Sequence, residues 1–261
     1  SHSSNTPAAP HQRENILGVL ISVINMKDAV RTIGTWIRNR DPHYVTVTPA
    51  HAVMDAYQDP DLLRIINAAG MTTPDGMSIV WLLKILGHAH VERVYGPDLM
   101  LELCRVGVSE NWKHYFYGGN VGVADALVER LGERFPGLQV SGTYSPPFRE
   151  LSEDERDEIE ETINASDSDI LWVGLSSPKQ EFWMAGQFGK IDVPVMIGVG
   201  AAFDFLSGAK AQAPRWIQRA GFEWLFRFMT EPRRLWPRYS QYPKFVLLMM
   251  LQLLGWRSFD T

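Results

Sequence analysis

The stretch DILWVGLSSPKQEFW, residues 169–183, decides the fold. It opens on an apolar run, passes through small residues, and meets Pro178 just before Lys179, Gln180 and Glu181. A short apolar run bounded by turn residues reads as a strand covered on both faces. Proline at a first helical position, followed by an acid, starts a helix. A strand over 169–175 and a helix over 178–189 follow. In an open α/β sheet, ligands bind outside the carboxyl ends of such strands.

The same layout recurs outward in both directions. GVGAAFDFLSG, residues 198–208, follows a strand over 193–199 with small residues and an aromatic helix. FYGGNVGVADAL, residues 116–127, joins a strand over 112–117 to a helix over 121–135 through Gly118 and Gly119. Further strands are read at 16–22, 44–48 and 138–143, and further helices at 26–38 and 152–165. Ser152 and Glu155 have capping-box spacing at the start of the last helix. This alternation predicts an α/β fold with a Rossmann-like parallel sheet core over 16–208.

The 261 residues are 45% hydrophobic, enough for one large α/β domain with or without an appendage. One cysteine, Cys104, excludes an intrachain disulfide and reads as a small core residue. Residues 1–15 are polar and proline-bearing, without the apolar segment of a signal peptide, and are expected to be disordered. The net charge of −5 is uneven: residues 209–261 carry nine Lys/Arg against three Asp/Glu. An acidic body with a basic end seeks an anionic partner, nucleic acid or anionic lipid.

Residues 209–261 are read as a helical appendage crowded with Trp, Phe and Arg. Arg215, Arg219, Glu223 and Arg227 recur every four residues, as on one face of a helix, and Arg233 and Arg234 follow Pro232. FVLLMMLQLL, residues 245–254, is too short for a bilayer, which needs about 20 residues. It either lies in the membrane interface or packs on protein.

Several junctions carry groups for chemistry, each with a structural alternative. In TTPDGMS, residues 72–78, Asp75 sits in turn chemistry and equally suits a helix cap. In VERVYGPDLM, residues 91–100, Arg93 suits a diphosphate clamp or pairs with Asp98 or Glu92, and Asp98 starts a helix. Gly118 and Gly119 let backbone N–H groups approach a phosphate, or simply form a tight turn; the spacing is not G-x-G-x-x-G. Lys179 meets phosphate or stays solvated, Gln180 offers a donor and an acceptor, and Glu181 serves a ligand or the helix dipole. Asp204, among aromatics, is partly buried and caps or pairs with an arginine. No zinc signature, nucleophile elbow or Walker A motif occurs, and no metal or cofactor is expected.

PDG at 74–76, ERVYGPD at 92–98, YGG at 117–119, VGLSSPKQEFW at 173–183, GVGAAFDFLSGAKAQAPRW at 198–216 and EWLFRFMTEPRR at 223–234 occur in that order. Together they resemble the WecG/TagA/CpsF glycosyltransferases, family 26 of the carbohydrate enzymes, over roughly residues 16–240. The resemblance implies inverting, metal-independent transfer from a UDP-sugar to a polyprenyl-diphosphate-linked sugar in bacterial cell-surface polysaccharide synthesis. It implies a hexosyltransferase of the N-acetylmannosaminyl or glucosyl kind. It also implies peripheral attachment at the cytoplasmic membrane face through a C-terminal appendage. It maps the catalytic aspartate onto Asp75, with Arg93 and Gln180 in substrate binding. Thr46, Thr48, Asp98, Gly118, Gly119, Lys179, Glu181 and Asp204 join them as expected substrate-binding residues. Arg215, Arg219, Arg227, Arg233 and Arg234 are expected at the diphosphate or the membrane. Thr48 stands where the family often has Asn, and Ala211-Gln212 where it usually has a basic pair.

Rival readings differ in what they bind. A nicotinamide-dependent oxidoreductase lacks its glycine fingerprint here. A non-catalytic membrane-surface scaffold would be indifferent to Asp75. A nucleic-acid binder fits the basic end but not the acidic body or the apolar terminus, so no nucleic-acid partner is expected. The donor sugar and the oligomeric state, a homo-oligomer included, are left open.

Overall fold

The computed structural model describes residues 11–261. The chain begins with β1 (Arg13–Ile16), β2 (Val19–Ser22), α1 (Met26–Asn39) and β3 (His43–Thr48). It continues through α2 (Ala50–Gln58), α3 (Pro60–Ala68), β4 (Met71–Pro74), α4 (Met77–Ile85) and α5 (Gly96–Glu110). β5 (Lys113–Gly118), α6 (Val123–Arg134), β6 (Gln139–Tyr144), α7 (Glu153–Ala165), β7 (Ile170–Gly174), α8 (Lys179–Gln187) and β8 (Val195–Gly198) follow. The chain closes with α9 (Ala202–Ser207), α10 (Arg215–Arg219), α11 (Glu223–Thr230), α12 (Pro232–Tyr239) and α13 (Tyr242–Leu253). The fold is α/β, with a six-strand sheet in the order β4-β3-β8-β7-β5-β6.

Contacts divide the chain into two compact units. One holds the described chain up to Asn25, Thr48–Val94 and Gln212–Thr261; the other holds Met26–Val47 and Tyr95–Ala211. In the second unit, β8, β7, β5 and β6 run parallel, with β3 paired to β8. β7 lies between β8 and β5, which explains its unbroken apolar sequence: Ile170, Leu171, Trp172 and Val173 are all buried. β6 at the sheet edge is only partly buried. The capping box of α7 forms as its spacing predicted.

The first unit holds a hairpin where a single strand over 16–22 was expected. β1 and β2 pair antiparallel, Ile16 opposite Val19, and Leu17 and Gly18 form the turn, both at positive φ. Two such residues give the turn twist that hairpins favour. The sequence concealed it because leucine rarely adopts this conformation. Gln252 of α13 supports the turn: its Oε1 accepts from Leu17 N at 3.0 Å and its Nε2 donates to Asn15 O at 2.8 Å. Residues 1–10 of the expected disordered segment lie outside the described residues, and Arg13–Ile16 is a strand rather than disordered chain.

α13 packs one side into the core of this unit. Phe245, Leu248 and Met249 are buried with residues of the hairpin, α2, α3 and α4. Its other side is apolar and exposed, with Leu247 at 58% and Met250 at 55%. Among the described residues no helix is long and apolar enough to cross a membrane. Cys104 is buried, and burial pushes its thiol up to about 12.

Candidate active site

β4 ends at Pro74 and α4 begins at Met77, so Asp75 and Gly76 form their junction. Gly76, not Asp75, is the N-cap residue of α4, in extended conformation and without a side-chain cap. The cap reading of Asp75 is thus corrected: the helix begins beyond it, and its carboxylate meets Arg93. The segment bearing Arg93 is tied to the end of β4. Val94 N donates to Pro74 O at 3.0 Å, and Thr73 Oγ1 donates to Val94 O at 3.2 Å.

Arg93 Nε donates to the backbone oxygen of Asp75. Its Nη2 donates to Asp75 Oδ1 at 3.4 Å and to Glu223 Oε2 at 2.6 Å. Asp75 and Glu223 are thus partners of Arg93 that the sequence did not indicate. All three side chains line a cavity of about 550 Å³, together with His51, Arg227 and Tyr242. Burial pushes the Asp75 carboxyl up to about 6, and the Glu223 charge adds to the rise against Arg93 and Arg227. His51, in the first turn of α2, is pulled down to about 3 by burial and by the charges of Arg238 and Arg227. At neutral pH the cavity wall thus presents a neutral imidazole and a carboxylate of raised basicity.

The appendage arginines do not share one face. Gly221, at φ 77°, breaks the chain between α10 and α11, so the four-residue spacing spans two helices rather than one. Of the five, Arg227 lines the cavity. Arg215, Arg219 and Arg233 are exposed, and Arg234 pairs with Glu231.

In the second unit, other expected residues collect at the carboxyl ends of β5, β7 and β8. Gln180 is buried; its Oε1 accepts from Gly200 N at 2.9 Å and its Nε2 donates to Glu181 Oε1 at 3.1 Å. A Cβ on Gly198 would stand 3.0 Å from the Gln180 amide, so the glycine makes room for it. Gly118 is at φ 131°, and a Cβ there would meet Gly174 at 2.6 Å. Gly119 N donates to Gly174 O at 3.0 Å, joining the ends of β5 and β7. Thr46, opposite Gly198, is buried in β3; Thr48, the last residue of β3, belongs to the first unit and is buried as well. Lys179 is exposed and Asp98 is half-buried in the first turn of α5. Asp204 pairs with Lys210 at 2.9 Å rather than with an arginine.

The cavity-lining residues His51 and Glu223 were missed. Glu223 stood in the sequence among the spaced charges of the appendage, indistinguishable from a solvated face, and no local motif marks His51. Among the described residues no cluster of three or more His, Cys, Asp or Glu is arranged to hold a metal ion.

Comparison with known proteins gives these arrangements a context. The chain is 30% identical over 213 residues to a Bacillus spizizenii protein named N-acetylglucosaminyldiphosphoundecaprenol N-acetyl-beta-D-mannosaminyltransferase, covering 82% of this chain and 80% of the relative. Proteins of the same name from Bacillus subtilis and Staphylococcus aureus are 27% and 26% identical. They cover 78% and 85% of this chain and 77% and 86% of their own lengths. The model of the Glycosyl transferase WecG/TagA/CpsF family matches residues 14–258, and the chain belongs to that family of glycosyltransferases.

Proposed function

We propose that the protein transfers an N-acetylmannosaminyl group from a UDP-sugar to polyprenyl-diphosphate-linked N-acetylglucosamine, with inversion and without a metal ion. The acceptor hydroxyl bonds to the anomeric carbon, the bond from that carbon to the UDP oxygen breaks, and Asp75 takes the hydroxyl proton. The observation that carries this reading is the Asp75 carboxylate on the cavity wall, with its proton affinity raised to about 6. Such a group is ionised at neutral pH yet basic enough to assist the attack. Arg93 and Arg227 offer positive charge for the diphosphate, as departure of UDP requires. Within the second unit, Thr46, Gly118, Gly119 and Gln180 are proposed as substrate-binding residues, as is Thr48 of the first unit.

The same reading makes the protein peripheral at the cytoplasmic membrane face. The exposed apolar side of α13 and the exposed arginines of α10 and α12 support it. Cations near an anionic surface contribute about 1 kcal/mol each.

The test is transfer from a panel of UDP-sugars to a short-chain polyprenyl-diphosphate-linked N-acetylglucosamine, with EDTA present. Product from UDP-N-acetylmannosamine with wild type, and its loss with Asp75→Asn, is expected. Product that requires an added divalent cation would remove the metal-independent mechanism. Equal turnover by a folded Asp75→Asn protein would remove the base assignment.

A further inference from the structure

Glu223 opens α11 and is buried, yet the proposed reaction gives it no step. It lies against the Arg93 guanidinium, which also touches Asp75. Arg93 makes its shorter side-chain contact with Glu223, 2.6 Å, and its longer one with the Asp75 carboxylate, 3.4 Å. Its Nε is meanwhile used on the Asp75 backbone oxygen. The guanidinium is therefore turned so that the carboxylate of Asp75 receives only the long contact of a shared nitrogen. A bidentate Arg–carboxylate pair, the arrangement such partners favour, does not form on Asp75.

We propose that Glu223 is a positioning residue that limits the Arg93 guanidinium to a single long contact with the Asp75 carboxylate, leaving that carboxylate available to take a proton. The catalytic consequence rests on the base reading of Asp75 given above; the arrangement itself does not. Two effects of Glu223 act in the same direction. Its negative charge disfavours ionisation of Asp75, and its grip on Arg93 weakens the opposing pull. Among the described residues, the other charged or titratable groups lining this cavity are Arg227 of α11, Tyr239 of α12, Tyr242 of α13 and His51 of α2. Arg227 works against Glu223, favouring the ionised carboxylate, and His51 is neutral at working pH. In Glu223→Gln, Arg93 and Arg227 would face Asp75 without the opposing Glu223 charge.

The experiment follows the Asp75 carboxyl by carbon NMR in the ligand-free full chain, with Asp75→Asn identifying its signal. In Glu223→Gln, which keeps the shape of the side chain, the midpoint is expected to fall from about 6 by about one unit or more. The acid limb of the pH–rate profile should move down with it, and the plateau rate should fall because the base is weaker. In an Arg93→Gln background the same Glu223→Gln change should move the midpoint less, because no guanidinium is left to release. A midpoint that does not fall in Glu223→Gln overturns the inference. An equal fall in both backgrounds overturns the role of Arg93. A fall confined to the wild-type background supports the inference even if Asp75→Asn keeps full activity, an outcome that would instead remove the base reading.

Discussion

Arg93 and Glu223, 130 positions apart in the chain, meet at 2.6 Å. One belongs to the segment laid beside β4 and the other to the first turn of α11. Their contact brings the C-terminal segment to the junction that carries Asp75, so that one cavity wall is built from three distant stretches of sequence.

Replacing Asp75 should separate activity from stability. Asp75→Asn is expected to lower turnover about 10²–10⁴-fold. Its carboxyl is raised in the folded chain from 3.8 to about 6, so the folded state binds the extra proton and loses stability as pH rises through that window. The ionised group therefore costs roughly 3 kcal/mol at pH 8, and the amide removes that cost. Thermal unfolding should show Asp75→Asn more stable than wild type at pH 8, with little difference at pH 4.

His51 carries the opposite sign. Its imidazole is lowered from 6.5 to about 3, so the unfolded chain binds the proton more readily and stability falls as pH drops below about 6.5. His51→Asn should flatten the loss of melting temperature between pH 7 and pH 5. A variant that loses as much as wild type over that interval would contradict the buried neutral imidazole.

The two sides of α13 should respond differently. Leu248→Ala, in the core, is expected to cost about 2–5 kcal/mol in denaturant unfolding. Met250→Glu, on the exposed side, should change stability by no more than about 0.5 kcal/mol. The same Met250→Glu protein should sediment less with anionic liposomes than wild type, as the membrane assignment requires.

Gln252 should matter out of proportion to its size. Its amide serves Leu17 N and Asn15 O, the groups at the hairpin turn. Gln252→Ala leaves both unpaired and should cost about 1–3 kcal/mol, measured by urea unfolding.

The strands and helices around Gly118, Gln180 and Gly198 were readable because local chemistry marks them. Apolar runs, glycine turns and first-turn acids act over a few residues, and each specifies its own junction. The hairpin was hidden because its turn uses a leucine in an unusual conformation that a distant glutamine stabilises. The appendage misled for a related reason: four-residue spacing describes one helix only where the helix continues, and it breaks at Gly221.

By itself the sequence determined the α/β alternation, the strand-to-helix junctions, the family, and the place of Asp75 between Pro74 and Gly76. Only the tertiary structure decided which charges Asp75 would face. That choice depends on how α11 and the segment bearing Arg93 are packed, and packing answers to the burial of whole apolar faces, such as Phe245, Leu248 and Met249 of α13. A charge whose partner lies 130 residues away carries no local mark of it, because neither spacing nor propensity extends beyond the element in which it stands.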